Sequence, residues 1–315
     1  TRSKQADAQN YPFCTIEPNV GVVEVPDERL AQLAEVSKSK KVIPTAIQFV
    51  DIAGLVKGAS EGAGLGNKFL SHIREVDAIV QVVRAFSDSN VVHVQNRVDP
   101  KDDAEIINLE LILADLQTVG KKLDTAKKGA KGKVEDKIKV EIEVLEKIKN
   151  QLEAEKFASG LEFTEEELPI VREAQLLTMK PMLYVVNVDE GCKTEDLGRR
   201  IDVTISQIEV SAKLEAEVAE LSPEEAKQYL KELGIEQTGL DKLIIAGYKL
   251  LDLITFLTSG EPETRAWTVK RGAKGPEAAG VIHTDFIKGY IKADVCNWQD
   301  FIEFKGWSGI KTSGK

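Results

Sequence analysis

Cysteine is scarce in this chain. Its 315 residues hold three, Cys14, Cys192 and Cys296, far apart and odd in number. That pattern supplies neither a disulfide framework nor a zinc site, and it favours a reducing compartment. Uninterrupted apolar stretches are also missing. The most apolar long run, Leu243 to Leu257, is broken by Lys249 and Asp252, so no membrane span is expected. The residues from Thr1 onward are polar and contain no apolar core of a signal peptide. Nor is there a surplus of positive charge. Lys and Arg number 42 against 52 Asp and Glu, a net charge of −10. This excludes wholesale wrapping of nucleic acid and confines any RNA contact to a local basic patch. The expectation is a soluble, cytoplasmic chain. With 42% hydrophobic and 30% charged residues, it has enough for an ordinary buried core and for two or three domains.

One stretch organises the rest. Gln48-Phe49-Val50-Asp51-Ile52-Ala53-Gly54 reads as a short apolar strand ending on a carboxylate, followed by a glycine-rich loop through Gly58, Gly62, Gly64 and Gly66. An Asp at the carboxyl edge of a sheet can hold Mg²⁺ through its water shell. A Gly three residues on lets its N–H approach a γ-phosphate, because no Cβ stands in the way. The same D-x-x-G pattern also reads as a strand followed by a flexible loop, so its neighbours must decide.

Upstream, Tyr11 to Asn19 contains two prolines that fix an extended loop. Thr15 within it offers a hydroxyl that suits either Mg²⁺ or a turn bonded to its own backbone. Gly21 to Val25 reads as a strand, Asp27 to Val36 as a helix with an acidic first turn, and Asn67 to Arg74 as another helix. Ala78 to Val83 is almost continuously apolar, the pattern of a parallel strand covered on both faces, so a doubly wound α/β sheet is expected.

From Ala104 the texture changes. Leu109, Ile112, Leu116, Val119 and Leu123 recur at helical spacing, as do Val134, Ile138, Ile142, Leu145, Ile148 and Leu152. Glycines at 129 and 132 permit a reversal, which predicts an arm of two antiparallel helices. Its tip gathers Lys121, Lys122, Lys127, Lys128, Lys131 and Lys133 with only Asp124 opposing them. That tip reads equally as an RNA-phosphate contact and as an ordinary solvated end, since no aromatic residue is interleaved.

The α/β texture resumes at Lys180 to Asn187, a buried-type strand ending on an amide, and leads into Asn187-Val188-Asp189-Glu190. A strand-end amide is well placed to read a purine edge. Further on, Ile208-Glu209-Val210 reads as a short strand and Ser211-Ala212-Lys213 as the turn after it. A hydroxyl loop, D-x-x-G, a base-reading Asn and S-A-K follow one another in the order of parts in a phosphate-loop GTPase domain.

These residues carry a closer resemblance. Asn10 to Asn19, Phe49 to Ser60, Gly64 to Asn67, Arg265 to Thr268 and Ala278 to Phe286 resemble the Obg-like ATPases, the YchF group of nucleotide hydrolases, over nearly the whole chain. The resemblance implies a phosphate-loop NTPase domain (residues 1–104 and 171–257) interrupted by a helical coiled-coil arm (105–170), then a β-grasp TGS domain (258–315). It implies an ATP-hydrolysing, Mg²⁺-dependent conformational switch that prefers ATP over GTP. Its partners would be the ribosome and RNA, met through the arm tip and the TGS domain by a monomer with no membrane role. Thr15 and Asp51 would hold Mg²⁺, Gly54 would meet the γ-phosphate, and His93 matches a family His that also reads as structural. Asn187, Val188 and Glu190 would contact adenine, with Ser211, Ala212 and Lys213 closing over the base.

Two departures from ordinary GTPases bear on the chemistry. N-K-x-D, whose Asp accepts from guanine N1 and N2 hydrogens, is replaced by Asn187-Val188-Asp189-Glu190. Leu55 stands where many GTPases place a water-orienting Gln, which predicts low unassisted turnover. Departures from the family itself also appear. No G-x-x-x-x-G-K-[ST] occurs, the family spacing places it just before Thr1, and Asn187 to Ser211 is short. The last TGS strands would lie beyond Lys315, so the chain is expected to be part of a longer protein. A non-catalytic ribosome- or RNA-binding module and a GTP-hydrolysing Obg-type factor are the alternative readings.

Overall fold

The computed structural model describes residues 19–52, 65–87, 98–130, 136–191 and 205–314. The first part of the chain forms β1 (Asn19–Glu24), α1 (Arg29–Ser37), β2 (Val42–Ile43), β3 (Ala46–Asp51), α2 (Leu65–Glu75) and β4 (Ile79–Arg84). Two longer helices follow, α3 (Pro100–Gly129) and α4 (Asp136–Glu153), then α5 (Leu168–Ala174), β5 (Met182–Asn187) and β6 (Gln207–Val210). The remainder comprises α6 (Ala212–Val218), α7 (Pro223–Glu232), α8 (Gly239–Leu250), the strands β7 (Leu253–Ser259) and β8 (Thr264–Lys270), and four short helices. These are α9 (Gly275–Ile282), α10 (Asp285–Gly289), α11 (Trp298–Glu303) and α12 (Trp307–Ser313). Contacts divide the described residues into two compact units, Val50–Gly239 and Val20–Phe49 with Leu240–Lys315.

The Val50–Gly239 unit is built on a parallel sheet in the order β4-β5-β6. β-Branched and aromatic residues dominate β5, Met182-Leu183-Tyr184-Val185-Val186, and all five are buried. Against one face pack Leu70 and Ile73 of α2 and Ala104, Leu111 and Ala114 of α3. β4 departs from the expectation of a strand covered on both faces. Val82 is 65% exposed while Gln81 and Val83 are buried. The register leaves Arg84, Asn187 and Val210 side by side at the carboxyl ends of the three strands.

The two arm helices follow from local signals. Asp99 caps α3 by accepting from the Asp102 N–H at 3.1 Å, Pro100 occupies the first turn, and Asp102 and Asp103 face the helix dipole. Residues 130–135 are too few for a parallel return along the roughly 27 Å of α4, so the pair is antiparallel. Ile112, Val119 and Leu123 meet Val144, Leu145, Ile148 and Leu152 in one core. The tip is less basic than its own sequence suggests. Lys127 pairs with Glu146 at 2.7 Å and Lys122 with Glu173 at 3.5 Å, so acids from α4 and α5 join Asp124 in opposing the lysines.

At the root of the arm, Asp115 is only 1% exposed. It accepts from the Leu177 N–H (2.9 Å), the Thr178 N–H (2.8 Å) and the Thr178 hydroxyl (2.7 Å), at the start of a 3₁₀ turn over Leu177–Met179. Lys180, next in the chain, donates to the carbonyls of Arg74 and Val76 at the end of α2. Burial holds the Lys180 ammonium below its ordinary pKa.

In the other unit, β7 and β8 form an antiparallel hairpin and β2 adds parallel to β8, with Val42 opposite Thr264. One face of that sheet is tied by hydroxyls. Tyr248 reaches Thr255 at 3.0 Å and Thr268 at 2.6 Å, and Ser37 reaches Ser259 at 2.8 Å. Leu33, Phe301 and Ile310 form the buried cluster of this unit.

Candidate functional site

At the carboxyl ends of β5 and β6 the chain turns out of the sheet twice. The first turn carries Asn187-Val188-Asp189-Glu190 and the second Ser211-Ala212-Lys213. The second is a helix start rather than the free turn expected from sequence. Ser211 is the N-cap of α6, and its hydroxyl accepts from the Leu214 N–H at 3.4 Å. The side-chain oxygen of Asn187 (Oδ1) accepts from the Ala212 N–H at 3.0 Å, and the Val188 N–H donates to the Val210 carbonyl at 3.0 Å. Glu190 and Lys213 approach to 3.8 Å at the surface, and Lys213 also lies 3.9 Å from Glu217. All six residues expected around a base therefore gather at one sheet edge. The Asn187 side-chain oxygen is taken by Ala212, and the amide N–H groups are the hydrogen-bonding capacity that this contact leaves.

The neighbouring shell was not visible in the motif. Glu215 accepts from the Gly239 N–H at 2.6 Å and so fixes α6 against the start of α8. A Cβ on Gly239 would lie 2.7 Å from Val210 Cγ1, so the backbone approach at that point requires glycine. Tyr229 donates to Glu217 at 3.1 Å, and that bond is the main cause of the raised Tyr229 pKa. On the opposite flank, Asp189 accepts from the N–H of Ser87 at 3.2 Å and from its hydroxyl at 3.4 Å. No periodicity or spacing announces that last pair, since its members are 102 positions apart.

Residues 1–119 match the family model described as 50S ribosome-binding GTPase, and residues 253–315 match the C-terminal model of YchF GTPases, described as a protein of unknown function. The chain is 53% identical over 319 residues to the ribosome-binding ATPase YchF of Bacillus subtilis, covering 98% of this chain and 87% of that protein. It is 49% identical over 315 residues to the ribosome-binding ATPase YchF of Escherichia coli O157:H7, covering 98% and 86%. The solved Schizosaccharomyces pombe YchF GTPase superposes with a TM-score of 0.83 at 37% identity, over 99% of this chain and 86% of that one. The chain belongs to the YchF family.

Membership makes the fold that of a phosphate-loop GTPase domain followed by a C-terminal domain, in a mixed α/β chain. Of the residues that the YchF resemblance singles out near a phosphate, the structure describes Asp51. It ends β3 with an exposed side chain and shares no hydrogen bond with the loops at β5 and β6 among the described residues. Thr15, Gly54 and His93 lie outside the described residues. The described residues contain no cluster of three or more His, Cys, Asp or Glu that could cage a metal. A lone carboxylate at a strand end instead fits Mg²⁺, which takes one or two carboxylates and completes its shell with water and phosphate oxygens. Among the described residues no helix is long and apolar enough to cross a membrane.

Proposed function

We propose that this YchF-family chain binds and hydrolyses ATP in preference to GTP and acts as a ribosome-associated switch. The observation that supports it best is the Asn187–Ala212 hydrogen bond, which closes the N-V-D-E loop onto the S-A-K loop. It leaves the Asn187 amide hydrogens for a purine ring nitrogen, with Val188 and Glu190 supplying acceptors for the adenine amino group. Ser211, Ala212 and Lys213 close over the ring.

At the phosphate end, Asp51 and Thr15 would hold Mg²⁺, which neutralises phosphate charge when bound, and Gly54 would offer its N–H to the γ-phosphate. His93 is the candidate for orienting the attacking water, since Leu55 has no group to do so. Catalysis on this reading is positioning and electrostatic stabilisation, with no covalent enzyme intermediate. The arm (105–170) and the TGS domain (258–315) are the parts proposed to meet ribosome and RNA; the bacterial relatives are named ribosome-binding ATPases.

Isothermal titration of the full-length protein with ATP and with GTP, each with Mg²⁺, tests the base preference. ATP is expected to bind tighter; tighter GTP binding would overturn the reading.

A further inference from the structure

Among the described residues the chain passes between its two compact units after Asn19, after Phe49 and after Gly239. Each crossing borders a motif expected at the nucleotide. Asn19 stands four positions past Thr15 in sequence, Phe49 two before Asp51, and Gly239 opens α8. Gly239 is also fixed to the base edge, since its N–H donates to Glu215 of α6, the helix that Ser211 caps.

Between the first two crossings, the segment Val20–Phe49 is bolted to the C-terminal sheet. β2 pairs with β8, the Thr264 N–H donates to the Lys41 carbonyl at 2.9 Å, and the Lys40 N–H donates to the Glu261 carbonyl at 3.0 Å. Ser37 meets the Ser259 hydroxyl at 2.8 Å. Ser39 donates to the Gly260 carbonyl at 2.6 Å and lies 2.8 Å from the Thr264 hydroxyl. Leu33 of α1 is buried in one cluster with Phe301 and Ile310. The third crossing leads to the same place. Ile47 of β3 packs on α8 at Gly247, where an added Cβ would stand 3.3 Å from Ile47 Cδ1.

We propose that Val20–Phe49 is a transmitter, which carries the nucleotide state from the phosphate-sensing motifs to the C-terminal sheet of β2, β8 and β7. The inference rests on the ATP-switch reading above. A segment that borders a ligand-sensing motif at each end, and is held along its length by one sheet, cannot stay still when those motifs move. Two residues of extended chain reach about 7 Å at most, and even that slack is absent here, because Asp51 is the last residue of β3 itself. Close-packed elements shift as bodies rather than deform continuously, so a move at Asp51 passes along β3 to β2 and its partner β8. Coupling of this kind is reciprocal. A partner that grips the C-terminal sheet changes nucleotide affinity by the same factor by which nucleotide changes the grip.

The test is amide hydrogen exchange of the full-length protein with Mg²⁺ and either ADP or a non-hydrolysable ATP analogue. Peptides from β7 and β8 are expected to exchange at rates that differ roughly fivefold or more between the two states, together with peptides containing Asp51. Ser37→Ala/Ser39→Ala removes hydroxyl bolts from the segment and should shrink the β8 difference, while analogue affinity stays within about twofold. Ser37→Thr/Ser39→Thr keeps both hydroxyls and should keep the difference. Equal β7 and β8 exchange in the two states, with Asp51 peptides responding, overturns the inference. A β8 response that survives undiminished in the alanine pair also overturns it. No response at either Asp51 or Asn187 peptides defeats the switch reading instead, so the two failures are distinguishable. Thermal melts check that each variant is folded, and Ser37→Ala alone reports in the same way if the pair is not.

Discussion

A carboxylate with almost no water around it must find its partners in the protein. Asp115 does so with three donors, two of them backbone N–H groups. Burial raises its pKa above the usual carboxylate value, and the bonds from Thr178 and Leu177 act in the opposite direction. Asp115→Ala should strand all three donors in a dry site and lower unfolding stability by about 3 kcal/mol in urea. Asp115→Asn should cost less, since its amide oxygen still accepts. A loss below about 1 kcal/mol for the alanine variant would show that water or another group replaces the carboxylate. At this scale the sequence is read unevenly. Asn187 is legible because an amide ending an apolar strand is conspicuous. Its partner Ala212 is not, because the contact runs through a backbone N–H that any residue would supply.

Elements announce themselves by periodicity and caps, and most of them lie within two or three residues of where those signals put them. The five buried residues of β5 and the three-and-four spacing of α3 and α4 are cases where burial and pattern coincide. α6 was missed as a helix because Ser-Ala-Lys also fits a turn, and seven residues are too few to show a stripe. α7 offers a test of capping. The Ser222 hydroxyl (2.7 Å) and N–H (3.0 Å) both donate to Glu225, and Ser222 holds that carboxyl below its ordinary pKa. With a depressed folded-state pKa, the contribution is present above the unfolded value and fades as pH falls through the folded one. The difference in thermal midpoint between wild type and Glu225→Gln should therefore be present at neutral pH and close below the carboxylate range. A difference that persists or widens in acid would contradict the capping account.

For the whole molecule, charge decides which contacts with RNA are possible. The net charge is −10, and Glu146 and Glu173 already occupy two of the tip lysines. Lys121 and Lys128 make no ion pair among the described residues, so of the described tip lysines these two are the ones left to meet phosphate; Lys131 and Lys133 lie outside the described residues. Changing both to Ala should lower the log–log salt slope of ribosome co-sedimentation by roughly 0.7–0.9 per lysine. An unchanged slope would show that these two lysines carry none of the contact. Long-range assembly is the scale at which sequence is least informative. Val42 joins the sheet opposite Thr264, and no local pattern in a two-residue strand points 222 positions down the chain.

Four consecutive residues before β5, Leu177 to Lys180, hold three elements together. Asp115 grips Leu177 and Thr178 from the arm helix, and Lys180 grips the end of α2, two residues before the strand that ends on Asn187. The segment is a shared post to which a lever (α3), the end of α2 and the strand β5 are all lashed. Tilting the lever must either tear the buried carboxylate from its donors or carry the post with it. A tilt of α3 would on that geometry reach the carboxyl end of β5, the edge proposed above for the nucleotide.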